Sequence, residues 1–193
     1  MAAGLPGSPQ PSHDNLPDTV FKKSYNYPPF FSIQPVALTQ QAQLKKWSLF
    51  IQRYCRHYGI YKLSIIEALD SPLFYNKALN KRLTLKDAKA VIDYMATKEG
   101  DDRAEWLGPE KSAAWFWWRK PEEWAALIAN WIEKTGQKGT VLTLYELTQG
   151  EATDKQEFYG LDGEVLQKSL STLVKKGKAQ VFGTEDQQGV KFF

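Results

Sequence analysis

One helix-length stretch occurs twice in this chain. Trp47-Ser-Leu-Phe-Ile-Gln-Arg-Tyr-Cys-Arg-His-Tyr-Gly59 aligns without a gap on Trp124-Ala-Ala-Leu-Ile-Ala-Asn-Trp-Ile-Glu-Lys-Thr-Gly136, since 124 − 47 and 136 − 59 both give 77. The apolar positions carry the match: Phe50 corresponds to Leu127, Ile51 to Ile128, Tyr54 to Trp131 and Cys55 to Ile132. Their spacing of i, i+1, i+4 and i+5 from Phe50, after the tryptophan, is the stripe of a core-facing helix. The glycine closing each copy fits a C-terminal cap. Further on, Leu63-Ser-Ile-Ile-Glu67 parallels Leu142-Thr-Leu-Tyr-Glu146, Phe74-Tyr75 parallels Phe158-Tyr159, and Lys98-Glu-Gly100 parallels Lys176-Gly177. Each copy ends in an aromatic strand, Trp115-Phe-Trp-Trp118 or Val190-Lys-Phe-Phe193, after a glycine-containing hairpin stretch at Leu107-Gly108-Pro109 or Asp186-Gln-Gln-Gly189. Two tandem modules follow from this pattern.

Modules of roughly 80 residues lie near the lower limit for a self-sufficient core, and the 13% aromatic content of the 193 residues supplies bulky core material. A net charge of +3 is too small to predict a polyanion partner. The single cysteine, Cys55, excludes an intrachain disulfide framework and suits a reducing compartment. No apolar run is long enough to span a bilayer, and the first residues lack the charged and apolar regions of a signal peptide. A soluble, cytoplasmic protein is expected.

Residues 1–33 divide into a Pro, Gly and Ser-rich tail as far as Asp18, expected to be disordered, and an aromatic segment with Tyr27-Pro28-Pro29-Phe30-Phe31 at its centre. Paired prolines favour an extended polyproline II rod. Two readings of the segment stand at this level: a rod docking its rings into a partner's groove, or an arm packing on the chain's own first module. Folded structure is expected from Gln34. The first module, residues 34–119, reads as a helix capped by Thr39 and running to Tyr58, a strand at Tyr61 to Leu63, a helix between Ile65 and Asn80 interrupted at Ser71-Pro72, a helix from Leu85 to Lys98 capped by Thr84, and a hairpin from Ala104 to Arg119. The second, residues 120–193, starts at Lys120-Pro121-Glu122-Glu123 and continues with a strand near Val141, a helix from Leu144 to Gln149, a polar loop from Gly150 to Glu157, a helix from Gly163 to Lys176, and strands at Ala179 to Phe182 and Val190 to Phe193. The fold class is α+β, two tandem winged helices behind a proline-aromatic arm.

Several motifs in order give a resemblance. Tyr27-Pro-Pro-Phe-Phe31 before Gln34-Pro35, Pro121-Glu-Glu-Trp124, Thr143-Leu-Tyr-Glu-Leu147, Glu157-Phe158 with Gly160-Leu-Asp162, and Gly189-Val-Lys-Phe-Phe193 together resemble the smallest core subunit of the ESCRT-II endosomal sorting complex, over about Tyr27 to Phe193. The resemblance implies a non-catalytic scaffold without cofactors, sorting ubiquitinated membrane cargo into multivesicular bodies. It implies that Tyr27, Pro28, Pro29, Phe30 and Phe31 bind winged helices of the two larger ESCRT-II subunits, that two copies occupy one complex, and that the second module recruits an ESCRT-III subunit. It also implies a location at the endosome membrane, reached through the complex. Phe21-Lys-Lys-Ser-Tyr25 has the rings of a second such segment without its prolines.

Other chemistry is thinly represented. With histidine only at His13 and His57, no metal cluster or Ser-His-Asp arrangement assembles at usual spacing. Cys55 reads as an inert buried thiol, matching Ile132 of the second copy. A winged-helix DNA-binding transcription factor is the alternative function. Against it, the third helices present Lys86, Asp87, Lys89 and Asp93 in one module and Glu164, Gln167, Lys168 and Ser171 in the other, without arginine and with interleaved acids. The Trp115 to Trp118 strand reads as a covered intermodule element ahead of a partner hot spot. An arm that only docks would allow Pro28, Pro29 and Phe30 to be replaced by alanine with the thermal midpoint almost unchanged.

Overall fold

The computed structural model describes residues 19–184 and 187–193. The tail as far as Asp18, with His13, lies outside the described residues, as does Asp186 of the second hairpin. The chain divides into two units, the first ending at Trp118 and the second running from Arg119 to Phe193.

Unit 1 begins with α1 (Thr19–Tyr25) and a single 3₁₀ turn (Pro28–Phe31), then α2 (Ala37–Tyr58), β1 (Lys62–Ser64), α3 (Ile65–Ala68), β2 (Tyr75–Asn76), β3 (Lys81–Arg82), α4 (Leu85–Met95), β4 (Ala104–Trp106) and β5 (Ala113–Phe116). Unit 2 repeats the core of this order with α5 (Pro121–Lys134), β6 (Val141–Thr143), α6 (Leu144–Gln149), a 3₁₀ turn (Glu151–Thr153), α7 (Gly163–Lys175), β7 (Ala179–Phe182) and β8 (Gly189–Phe192). The sheets are antiparallel with matching strand orders, β1-β5-β4 and β6-β8-β7, so the last strand always lies in the middle. Registers agree as well: Leu63 faces Ala114 as Leu142 faces Val190. Both units are winged helices.

The repeated stripe is the organising surface of each core. In unit 1, Trp47, Phe50, Ile51, Tyr54 and Cys55 of α2 are buried in one cluster with Ala88, Val91, Ile92 and Met95 of α4, Leu73, Phe74, Leu83, and Ala114 and Phe116 of β5. In unit 2, Trp124, Ile128, Trp131 and Ile132 of α5 and Val165, Leu166, Leu170 and Leu173 of α7 are likewise buried, and Trp131 meets Phe158 edge-on at 5.8 Å. Gly59 and Gly136 end the two long helices at φ of +63° and +67°, the left-handed region open to glycine at no steric cost. Gly100 has a different purpose. A Cβ there would lie 2.1 Å from the carbonyl oxygen of Tyr94, so the chain leaving α4 can pass this close only as glycine.

Helix starts differ in mechanism. The hydroxyls of Thr84 and Thr143 accept from the amides of Asp87 and Glu146 at 3.1 and 3.0 Å, and Asp162 accepts from Glu164 and Val165 at 2.9 and 3.1 Å. Thr143 and Glu146 form a reciprocal capping box, and the hydrogen bonds from Thr143 hold the Glu146 carboxyl below its ordinary range. The expected Thr39 cap does not form, because α2 starts at Ala37 after Val36, which gives no side-chain cap. The expected helix from Ile65 stops at Ala68, because Pro72 lacks an amide hydrogen and Tyr75 and Asn76 pair with Arg82 and Lys81 in a small hairpin. The third helix of unit 1 ends at Met95, three residues before Lys98.

Unit 2 has its own buried core and its own complete sheet. The fragment from Arg119 to Phe193 is therefore expected to fold alone, and a well-dispersed amide NMR spectrum is the check. A collapsed spectrum would show that this core is incomplete without the preceding residues.

Candidate functional site

The proline-aromatic segment forms a turn, and the turn is bound to its own unit. Tyr27 is extended, as a residue before proline prefers. Phe30 N then donates to Tyr27 O at 2.9 Å and Ser32 N to Pro29 O at 3.3 Å. The expected polyproline II rod does not form. Proline's fixed φ suits the first turn of a helix as well as a rod, and side-chain burial selects between them. Phe30 stacks on Trp47 with ring centroids 4.2 Å apart and planes 4° from parallel, while Phe31 meets Trp47 edge-on at 5.7 Å. Both phenylalanines are in the core cluster.

Polar groups of α2 clamp the turn's backbone. Trp47 Nε1 donates to Phe30 O at 3.0 Å. The Gln43 amide nitrogen faces the carbonyls of Pro29, Phe30 and Ser32 at 3.3, 3.0 and 2.9 Å, and its oxygen accepts from Gln34 N at 3.0 Å. One buried glutamine thus ties three carbonyls of the turn to α2. Gln43 went unnoticed in the sequence, yet it stands four residues before Trp47 on the inward stripe, where a polar side chain needs a reason. Upstream, Tyr25 is buried, its hydroxyl lies 2.6 Å from Pro72 O and 3.0 Å from Tyr75 O, and Asn76 Nδ2 donates to Tyr25 O at 2.8 Å. Burial, with Tyr54 adding to it, pushes the Tyr25 phenol well above the ordinary tyrosine range. Tyr25 thus anchors the upstream stretch to the unit.

The five residues separate into two groups. Phe30 and Phe31 face inward, and Tyr27, Pro28 and Pro29 face out, with Tyr27 60% exposed. Beside this ridge runs a shallow cleft of about 200 Å³, bounded by Tyr27, Pro29, Gln34, Thr39 and Lys46. The result is a preformed apolar ridge on the surface of unit 1, with its backbone fixed from below.

The remaining candidates resolve by position. Phe116 is in the core of unit 1 and Trp118 packs against it, donating to Ile60 O at 3.2 Å, while Trp115 and Trp117 are buried and stacked at 5.4 Å, with the Lys62 ammonium 4.9 Å from the Trp115 ring. Cys55 is fully buried, and burial pushes its thiol far up, away from the thiolate needed for reactivity. His57 is exposed against the Tyr58 ring. Among the described residues no group of three His, Cys, Asp or Glu could hold a metal, and no helix is long and apolar enough to cross a membrane.

The outward positions of α4 are held by the unit's own wing. Lys111 Nζ donates to Asp93 Oδ1 at 2.5 Å, Trp106 Nε1 to the same oxygen at 2.8 Å, and Lys89 Nζ to Glu110 O at 3.2 Å. In α7, Gln167 hydrogen-bonds Gln188. Lys89, Asp93 and Gln167, three of the groups that would face a major groove, are thus already engaged.

Comparison with known proteins agrees with this architecture. A family model described as ESCRT-II complex subunit matches residues 24–162. The chain belongs to this ESCRT-II subunit family. Vacuolar protein-sorting-associated protein 25 of Danio rerio is 42% identical over 169 residues, covering 88% of this chain and 95% of that protein, and the Dictyostelium discoideum protein of the same name is 38% identical over 188 residues, covering 90% and 95%. Subunit VPS25 of the endosomal trafficking complex ESCRT-II, known from a crystal structure, superposes with a TM-score of 0.75 at 25% identity, covering 88% of this chain and 96% of that one. A chain in the crystal structure of the ESCRT-II complex of VPS22, VPS25 and VPS36 superposes with a TM-score of 0.77 at 22% identity, covering 91% and 100%. The ESCRT-II subunit family is a family of sorting-complex components, and the tandem winged-helix reading of the sequence stands.

Two outcomes are expected for this ESCRT-II subunit. Phe30→Ala removes a stacked, buried ring and should lower stability by about 3–5 kcal/mol, whereas Tyr27→Ala should leave the melting curve nearly unchanged; calorimetric melting of both variants is the check. The alanine triple at Pro28, Pro29 and Phe30 therefore destabilises the fold, contrary to the expectation from sequence. Fluorescence anisotropy with random and selected duplexes is expected to show no sequence-specific DNA binding. Submicromolar binding that survives raised salt and is lost on replacing Lys86 and Lys89 would overturn this.

Proposed function

We propose that this protein is a non-catalytic subunit of ESCRT-II that joins the larger winged-helix subunits through its arm and first unit. The observation that carries the reading is the exposed Tyr27-Pro28-Pro29 ridge, fixed by Gln43 and Trp47 while its rings Phe30 and Phe31 are anchored beneath. A ridge already held in its binding shape gives up little conformational freedom on docking, and Tyr27 offers a large ring to an apolar groove. Relatives of this chain occur in complexes with VPS22 and VPS36, which supports assigning the ridge to the counterparts of those subunits. Tyr27, Pro28 and Pro29 are the direct contacts in this reading. Phe30 and Phe31 act by holding them in place.

The second unit serves, in the same reading, to recruit an ESCRT-III subunit. It has an open hollow of about 720 Å³, with Val141, Tyr145 and Phe182 exposed around Gly189. The assembled complex, with two copies of this subunit, sorts ubiquitinated membrane cargo into multivesicular bodies at the cytoplasmic face of the endosome. The occupied outward positions of α4 weigh against the alternative of a DNA-binding transcription factor.

The test replaces Tyr27, Pro28 and Pro29 with alanine in the full chain and titrates wild type and variant calorimetrically into the purified larger subunits. Affinity is expected to fall by at least about tenfold, or roughly 1.4 kcal/mol, with Phe30 left in place to preserve the core. Unchanged affinity in a folded variant would reject the ridge as the docking element.

A further inference from the structure

The 22-residue helix α2 contains no aspartate or glutamate, and its outward face is both basic and apolar. At 100° per residue, Leu38, Lys45, Lys46, Leu49, Arg53 and Arg56 fall within one outward sector of about 100°. All six are exposed, Leu38 at 79% and Leu49 at 42%. Leu38 and Leu49 are eleven residues apart, about three turns, so they align along the axis. The stripe runs for about 27 Å at 1.5 Å per residue.

Charge is unevenly distributed along the chain. Residues 19–118 carry fifteen Lys and Arg against nine Asp and Glu, while residues 119–193 carry ten against eleven. Four of the nine acids in residues 19–118 are engaged elsewhere, Asp70 with Arg82, Asp93 with Lys111, Asp101 with Arg103 and Asp102 with Lys98. Among the described residues, Lys45, Lys46 and Arg56 have no carboxylate within 4 Å. Glu99 borders the face beside Leu38, Lys45 and Leu49, and Asp101, paired with Arg103, borders it beside Lys45 and Leu49.

We propose that the outward face of α2 seats on an anionic lipid surface, with Leu38 and Leu49 entering the headgroup layer and Lys45, Lys46 and Arg56 meeting lipid phosphates and carboxylates. The counter-surface is negative, because α2 itself contributes cations and no acid to the face. It must also be nearly flat. The opposite side of α2, with Trp47, Phe50 and Tyr54, is buried in the unit's own core, so no groove can close around the helix. Nucleic acid would answer the charge but would place two exposed leucines against phosphates. A bilayer interface accepts both the leucines and the cations. This contact adjoins the Tyr27-Pro29 ridge at Lys46 but uses none of the ridge's own residues.

Each cation near an anionic membrane contributes about 1 kcal/mol, close to fivefold in affinity. The test is co-sedimentation of the full chain with phosphatidylcholine vesicles that contain or lack phosphatidylserine. Binding is expected only to the anionic vesicles and should weaken as salt rises. The joint variant Lys45→Glu, Lys46→Glu and Arg56→Glu should reduce binding by more than about tenfold. The variant Leu38→Gln with Leu49→Gln, which keeps every charge, should also reduce it severalfold, and matched melting curves establish that both variants are folded. Absence of wild-type binding to the anionic vesicles overturns the proposal, as does binding indifferent to the charge reversal. Binding lost on charge reversal but indifferent to the leucine pair also overturns it, since the helix would then not be seated. If the charge-reversed chain keeps its vesicle binding but no longer co-purifies with the larger ESCRT-II subunits, the face is a protein interface and the lipid proposal fails.

Discussion

The Phe30 carbonyl is the point on which the N-terminal architecture turns. It accepts from both Trp47 and Gln43 on the buried face of α2, while its own ring lies flat on the Trp47 indole. A paired proline segment has few donors and would otherwise bring unsatisfied carbonyls toward an apolar core, at a cost of about 1–3 kcal/mol for each buried group. Gln43 offsets this by facing three carbonyls at once. With the backbone satisfied, the phenylalanine rings can be buried, the turn is fixed, and Tyr27 and Pro28 are left pointing outward. The same glutamine also ties down Gln34, just before the start of α2.

Much of the fold could be read from the sequence because it was written twice. The Trp-to-Gly stripe at Trp47 and Trp124 identified the helix at the centre of each core, and the aromatic strands at Trp115 and Val190 became the middle strands of matching sheets. Threonine caps at Thr84 and Thr143 are local effects between residues three apart, so local pattern suffices to find them. Where local pattern failed, a distant partner decided the outcome. Thr39 has the chemistry of a cap, but α2 starts two residues before it because the arm fixes the entry of the chain. The hairpin at Tyr75 and Lys81 was hidden because only two residue pairs form it, too few for a visible alternation.

The arm was only half legible for a related reason. Its aromatic and proline content marks it as a segment that must lie against something, and the motif order pointed to the ESCRT-II family to which the chain belongs. Nothing within Tyr27 to Phe31 tells which rings turn inward. That depends on the indole at Trp47 and the amide at Gln43, more than a dozen residues away. The phenylalanines pack on the chain's own core, and the three residues before them are exposed on the surface.

Tyr25 is joined to Pro72, Tyr75 and Asn76 across 47 to 51 positions of sequence. During synthesis the arm leaves the ribosome well before these partners. At about 5–20 residues per second, the interval is on the order of several seconds. Throughout it Tyr25 has no native partner, and closing its long loop carries an entropic penalty that local helix formation in α2 does not. Phe30 and Phe31 meet Trp47 and Gln43 sooner, since these lie less than twenty residues further on. The nascent chain therefore seats the phenylalanines first and Tyr25 last, and the stretch around Tyr25 stays exposed to chaperones until Asn76 has emerged.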